Sequence, residues 1–164
     1  MQAIVIKNNN VEKTVRKMIE ILRDPIQLSI MRKFSEDILR NTKYHKEKII
    51  DVIRVFNFLK KKIRFLRDIY KIETVKTLKH IVEEIQKKGK LVGDCDDLSM
   101  LIAGVLKSIG YPVRFVVTAT PGSEKFNHIF VEANIDNNWY PLDLTLPLPF
   151  AVKPFRMIKR YEVI

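Results

Sequence analysis

An α+β fold is what this sequence predicts, and three observations carry the prediction. Apolar residues recur at three- and four-residue intervals from Val11 to Ile109, then at two-residue intervals from Val113 onwards. The two kinds of element are segregated along the chain, which favours helices set against an antiparallel sheet over an alternating βαβ pattern. The 164 residues, 46% of them hydrophobic, suffice to bury a core without disulfides or a structural metal.

The elements follow in order. After Asn10, a residue type that caps helices, Val11, Val15, Met18, Ile19 and Leu22 recur at helical spacing until Asp24-Pro25 interrupts them. Ile26, Ile30, Phe34 and Ile38 step by four as a second helix. A third runs from about Tyr44, with Ile49, Val52, Ile53, Phe56 and Leu59 on one face. Lys60-Lys61-Lys62 at its end suit the negative pole of the helix dipole. Ile63 to Leu66 reads as a short extended piece. A fourth helix carries Val75, Leu78, Ile81, Val82 and Ile85, with Gly89 as its stop. Leu98, Leu101, Ile102, Val105, Leu106 and Ile109 form the clearest stripe, closed by Gly110 and Pro112. Beyond it, Val113, Phe115 and Val117 alternate as a strand, residues 127–135 form a second, and Trp139 to Asp143 a third after the turn at Asp136-Asn137-Asn138. Residues 155–163 are read as a final strand.

Charge and cysteine usage narrow the function. The net charge of +11 lies wholly in the helical half, where residues 1–92 hold 23 Lys and Arg against 11 Asp and Glu. A grip on nucleic acid is one reading of that excess. Solvated helix faces are the preferred one, because the aromatic residues keep core-like spacings and are not interleaved with the basic ones. No apolar stretch approaches the length of a bilayer span, and Met1 to Ile6 is too short for a signal-peptide core. The single cysteine excludes an intramolecular disulfide and suits a reducing compartment, so a cytoplasmic protein is expected.

That cysteine has a setting with chemical meaning. Asp94 falls where an N-cap would sit, which puts Cys95 in the first turn of the 98–109 helix. Free N–H groups and the positive dipole end there lower a thiol pKa and could hold an oxyanion. Asp94, Asp96 and Asp97 act in the opposite sense, so an imidazolium is needed to offset them. His128 shares a strand face with Phe130 and Glu132. With Asp136-Asn137 as a two-residue loop, Asp143 falls opposite Phe130, a diagonal neighbour of His128 within side-chain reach. With Asn137-Asn138 as the loop it falls opposite Glu132 instead, one step further away, and in a different register Glu132 itself could be the orienting carboxylate. Cysteine, histidine and carboxylate are the parts of a nucleophile–base–orienter triad. Asp94, Asp96 and Asp97 have neither zinc spacing nor an EF-hand loop, so no metal or cofactor is expected. His45 and His80 read as ordinary helix residues.

Three segments, Gly93-Asp94-Cys95-Asp96-Asp97-Leu98-Ser99, Phe126-Asn127-His128-Ile129-Phe130-Val131-Glu132 and Trp139-Tyr140-Pro141-Leu142-Asp143-Leu144-Thr145, resemble the cysteine helix, histidine strand and Trp-x-x-x-Asp element of the transglutaminase-like superfamily. Leu106 to Arg114 resembles the helix end and following strand, and Ile63-Arg64-Phe65 with Asp68 is similar to the lead-in of bacterial and prophage-encoded members. Leu144 departs from the proline that many relatives carry after the aspartate. The resemblance implies a helical N-terminal segment over residues 1–62, packed on a papain-like catalytic core over residues 63–164. It also implies a cytoplasmic cysteine hydrolase or acyltransferase acting on a protein or peptide substrate, with Cys95, His128 and Asp143 as catalytic triad and a thioester intermediate. Protease, deamidase and transglutaminase all stay open, with hydrolysis preferred. The alternative is a catalytically silent binding or assembly module, phage-related in kind, whose basic half holds an acidic partner. No membrane partner is expected, and nucleic acid is not favoured.

Overall fold

The computed structural model describes residues 3–6, 10–40, 47–66, 73–153 and 158–164. Within them the order is β1 (Ala3–Ile6), α1 (Val11–Arg23), α2 (Pro25–Arg40), α3 (Lys48–Lys61), β2 (Ile63–Phe65), β3 (Glu73–Lys76), α4 (Leu78–Lys88), β4 (Leu91–Gly93), α5 (Cys95–Ser108), β5 (Val113–Thr118), β6 (His128–Ile135), β7 (Asn138–Leu142) and β8 (Ile158–Arg160). The expected α+β class is what this order describes.

Local chemistry sets the helix ends. Asn10 Oδ1 accepts from Glu12 N at 2.9 Å and starts α1. Asp24 Oδ1 accepts from Ile26 N at 2.8 Å, while Pro25 opens α2 at the position where a missing N–H removes no helical bond. Thr77 Oγ1 accepts from His80 N at 3.3 Å to start α4, and Gly89 ends it in the left-handed region at φ 75°.

Every residue of α5 from Asp96 to Leu106 is buried, the mark of a helix surrounded by protein. α1, α2, α3 and α4 pack around it, and β6 lies against its remaining side. Gly104 permits the closest approach. A Cβ there would stand 2.9 Å from Leu78 and 3.1 Å from Met31.

The main sheet has the order β7-β6-β5-β8 and is antiparallel throughout. Val113, Phe115, Val117, Ile129, Val131 and Leu142 belong to the core that it shares with α5. Asp136 and Asn137 both take positive φ, 50° and 66°, and make the two-residue turn between β6 and β7. Ile135 therefore pairs with Asn138 and Val131 with Leu142. Continued by one residue, that register sets Asp143 opposite Phe130, as the Asp136-Asn137 loop requires.

Several expectations need correction. Val75 is not helical: it lies in β3, paired with Ile4 of β1, because the Thr77 cap starts α4 only at Leu78. The opening residues, unassigned in the sequence reading, supply β1. Leu91–Gly93 is a strand running parallel to β2, again unassigned from sequence. The final strand is described over Ile158–Arg160 alone, and the helix expected from Tyr44 is described from Lys48. Tyr44, His45, Asp68 and residues 155–157 lie outside the described residues. Among those described, no helix is long and apolar enough to cross a membrane.

Candidate active site

Cys95 is the first residue of α5 and is half-buried. Asp94 occupies the N-cap position, yet its side chain makes no capping hydrogen bond. The helix is fastened to β6 at one residue. Ile129 N–H donates to the Cys95 sulfur, and Ser99 Oγ donates to Ile129 O at 3.1 Å. β7 makes this possible by leaving the sheet after Leu142, opposite Val131, so no β7 residue pairs with Ile129.

His128, adjacent to that anchor, opens β6. Its Nε2 lies 2.6 Å from Asp143 Oδ2, and both side chains are buried. Asp143 is itself held, since its Oδ1 accepts from Thr145 N at 2.8 Å and Leu146 N at 3.4 Å. Burial acts against the Asp143 carboxylate, but the His128 hydrogen bond and charge, with the Thr145 contacts, outweigh it and keep the carboxyl below its usual range. A carboxylate accepts only, so Nε2 carries the proton and Nδ1 is left as the basic nitrogen of a neutral ring. Phe130 stacks on the imidazole at 6.5 Å between ring centres.

The thiol departs from expectation. From the sequence, the helix terminus lowers its pKa and the flanking aspartates raise it, so that an imidazolium is needed to offset them. Burial, Asp96 and Asp94 push it up, Asp143 adds to them, and only the Ile129 N–H opposes. A thiol held this way needs a base to activate it.

The acidic residues around Cys95 divide into two roles. Asp96 is only 2% exposed, and its Oδ1 accepts from Asp97 N at 3.0 Å. Burial and the neighbouring Asp94 carboxylate raise its pKa well above the usual range. The Asp96 side chain hydrogen-bonds to Asp94, and among the described residues Asp96 Oδ2 and Asp94 Oδ1 have no other partner. Asp97 is tied to β3, where Lys76 Nζ lies at 2.8 Å and Lys76 N at 3.2 Å. The three carboxyl groups are close enough to share a cation. At Asp97 the Lys76 ammonium already supplies that charge.

Gly93 is required by this packing. A Cβ there would stand 2.4 Å from Asp97 Oδ2 and 2.6 Å from Asp97 Cβ, and Asp97 cannot yield while Lys76 holds it. Gly93→Ala is expected to lower unfolding free energy by about 1–3 kcal/mol in urea titrations. A value within a few tenths of wild type would mean that the turn before Cys95 relaxes freely.

Glu132 has a different task from the one its strand face allowed. Arg114 Nε reaches its Oε2 at 2.8 Å, and Arg160 Nε and Nη2 reach Oε2 and Oε1 at 2.9 and 3.1 Å. Burial opposes its ionisation, but Arg160 and Arg114 prevail and hold its pKa down. Arg114 also lies over the Trp139 ring at 3.9 Å. Glu132 therefore neutralises two guanidinium groups across β5, β6 and β8, while the carboxylate on His128 belongs to Asp143. Lys60 is a residue that sequence reasoning missed in this role. Beyond completing α3, its Nζ donates to Leu146 O and to Leu148 O, the latter at 3.0 Å, and so fixes the loop that follows Asp143. Phe150 closes the same loop against Phe56 and Tyr140.

Comparison with known proteins bears on the fold. A family model described as the transglutaminase-like superfamily matches residues 32–144. Among solved structures, the chain is similar to a candidate cysteine protease from Cytophaga hutchinsonii at 14% identity and a TM-score of 0.56, covering 90% of this chain and 54% of that one. It is also similar to a candidate protease from Parabacteroides distasonis at 10% identity and a TM-score of 0.56, covering 79% of this chain and 26% of that one. The chain thus spans about half the length of the first and a quarter of the second, and at these identities the likeness is one of fold. No curated protein matches it. With more than half of its length matched, the chain belongs to the transglutaminase-like superfamily.

Proposed function

We propose that this transglutaminase-like chain is a cytoplasmic cysteine-dependent enzyme that cleaves or exchanges peptide or glutamine amide bonds through a thioester on Cys95. The reading is carried by one arrangement: a His128–Asp143 hydrogen bond of 2.6 Å beside the residue whose N–H meets the Cys95 sulfur. His128 Nδ1 takes the thiol proton as the sulfur attacks the carbonyl carbon, forming an S–C bond and an oxyanion. N–H groups in the first turn of α5 stabilise that oxyanion, the Asp97 N–H excepted because Asp96 already accepts it. Collapse breaks the C–N bond, and the imidazolium returns its proton to the departing amine or ammonia. Water then attacks the thioester with His128 as base, restoring the thiol and releasing an acid. An amine in place of water makes the same cycle a transamidation. Hydrolysis is the preferred outcome, since water needs no second site.

A catalytically silent domain is the second reading, favoured by the upward shift of the thiol. Incubation with a peptide library, with and without a primary amine, decides between them by intact-protein mass spectrometry. The enzyme reading expects an acyl adduct on Cys95 that hydroxylamine discharges. No adduct, with product formation equal in wild type and Cys95→Ala, would support the silent domain.

A further inference from the structure

We propose that the open edge of β2 docks the substrate, taken as an extended peptide segment rich in Asp and Glu. The proposal deepens the cysteine-enzyme reading and rests on it for the word substrate, but its residues are separate from Cys95, His128 and Asp143.

The β2–β4 ladder is parallel and two strands wide, with Ile63 opposite Leu91 and Phe65 opposite Gly93. Leu91 N donates to Lys62 O at 2.8 Å and Leu66 N to Gly93 O at 2.9 Å. By the alternation of a parallel ladder, the N–H and C=O of Phe65 then point away from β4. The two outer edges of this ladder differ. On β4, Val92 O accepts from Lys76 Nζ and Val92 N donates to Glu84 Oε1 at 3.3 Å, which closes that edge. On β2, no strand among the described residues pairs with Phe65. A strand edge left open is a template for one more strand.

Position and charge say what that strand is. Phe65 lies opposite Gly93, two residues ahead of Cys95, so a peptide paired along β2 lies one strand away from the segment that leads into Cys95. Phe65 and Leu66 are 45% and 52% exposed, an apolar contact beside the edge. Arg64 is exposed in the middle of β2, Lys62 immediately precedes the strand at the end of α3, and Lys90 precedes the residue opposite Ile63. Lys62 Nζ lies over the Phe58 ring at 5.7 Å. Among the described residues none of these three cations has a carboxylate at ion-pair distance, whereas Arg16, Arg23 and Arg32 each have one. Lys62, Arg64 and Lys90 thus put positive charge without a carboxylate partner beside the β2–β4 ladder. Of the nearby acids, Asp97 is paired with Lys76 and Asp96 is buried, so neither presents a free carboxylate to an acidic segment. Nucleic acid would meet the same cations but has no strand to pair with Phe65.

The test reads binding without turnover. The full chain carrying Cys95→Ala is titrated with fluorescein-labelled decapeptides of alternating Thr and Glu or alternating Thr and Lys, and amide exchange is followed at Phe65. The Glu peptide is expected to bind at least about tenfold more tightly than the Lys peptide at low salt. It should slow Phe65 exchange, and it should lose about tenfold or more in affinity to Lys62→Glu with Arg64→Glu. Arg64 is exposed and Lys62 partly so, and an unchanged urea midpoint shows that this double variant is folded. Equal affinity for the two peptides, unaltered Phe65 exchange, or a DNA duplex that binds more tightly and depends on the same two residues would overturn the proposal. These outcomes leave the acyl-adduct experiment untouched, so a failure of docking and a failure of catalysis are told apart.

Discussion

Asp143→Asn is expected to lower turnover by about four orders of magnitude while leaving the protein folded. The asparagine Oδ1 can keep the hydrogen bonds from Thr145 N and Leu146 N. Its amide group then faces His128 Nε2 as a donor, where a carboxylate accepted before. Nε2 must turn acceptor, which moves the imidazole proton to Nδ1, and a protonated Nδ1 cannot take a proton from the thiol. The charge that stabilises the imidazolium disappears with it. Glu132→Gln supplies the control. It weakens the contacts to Arg114 and Arg160 and should lower the urea midpoint, yet leave turnover within about tenfold of wild type. Activity kept in Asp143→Asn and lost in Glu132→Gln would reverse the assignment of the third residue.

Lys76→Met is expected to be the most damaging change to stability, at about 3–5 kcal/mol at pH 8. It strands Asp97, 5% exposed, without a cation, and leaves Glu84, 6% exposed, with Lys88 Nζ at 3.6 Å as its remaining one. Burial alone would lower the Lys76 pKa, but Asp97, Glu84 and Asp94 raise it above its ordinary 10.5. Its contribution is therefore complete below that value and is lost only as pH climbs through the folded pKa. Asp97 governs the acid side. Burial raises its pKa from 3.8 to about 6 against the opposing pull of Lys76. A raised carboxyl binds its proton more tightly when folded, so this group adds stability as pH falls from about 6 towards 3.8. Without Lys76 the Asp97 pKa rises further, and the loss in Lys76→Met should shrink between pH 8 and pH 5. Urea titrations at both pH values measure it. An equal loss at both would mean that Asp97 is not the group left stranded.

What could be read in advance follows from the range of the forces involved. The α5 stripe, the alternation of β5 and the Asp136-Asn137 turn are local signals, and the turn alone sets the β6–β7 register that carries Asp143 to His128. β1 with β3, and β2 with β4, are three- or four-residue ladders between distant segments. Too few residues alternate in them to declare a strand, and Val75 accordingly looked like a helix residue. The tie from Lys76 to Asp97 spans 21 positions and has no sequence signature. The size of the thiol shift is hidden from the sequence for a related reason. The helix dipole and the flanking aspartates were visible in the sequence, whereas burial, the largest contribution, exists only once the chain has folded.

The dependence of Cys95 on His128 is the centre of the account, and thiol alkylation measures it without a known substrate. Burial and the aspartates hold the thiol up, so the imidazole is its source of activation. Iodoacetamide should label wild-type Cys95 at pH 7 at least about tenfold faster than it labels His128→Ala, both proteins being folded. Equal rates in the two proteins would contradict the account.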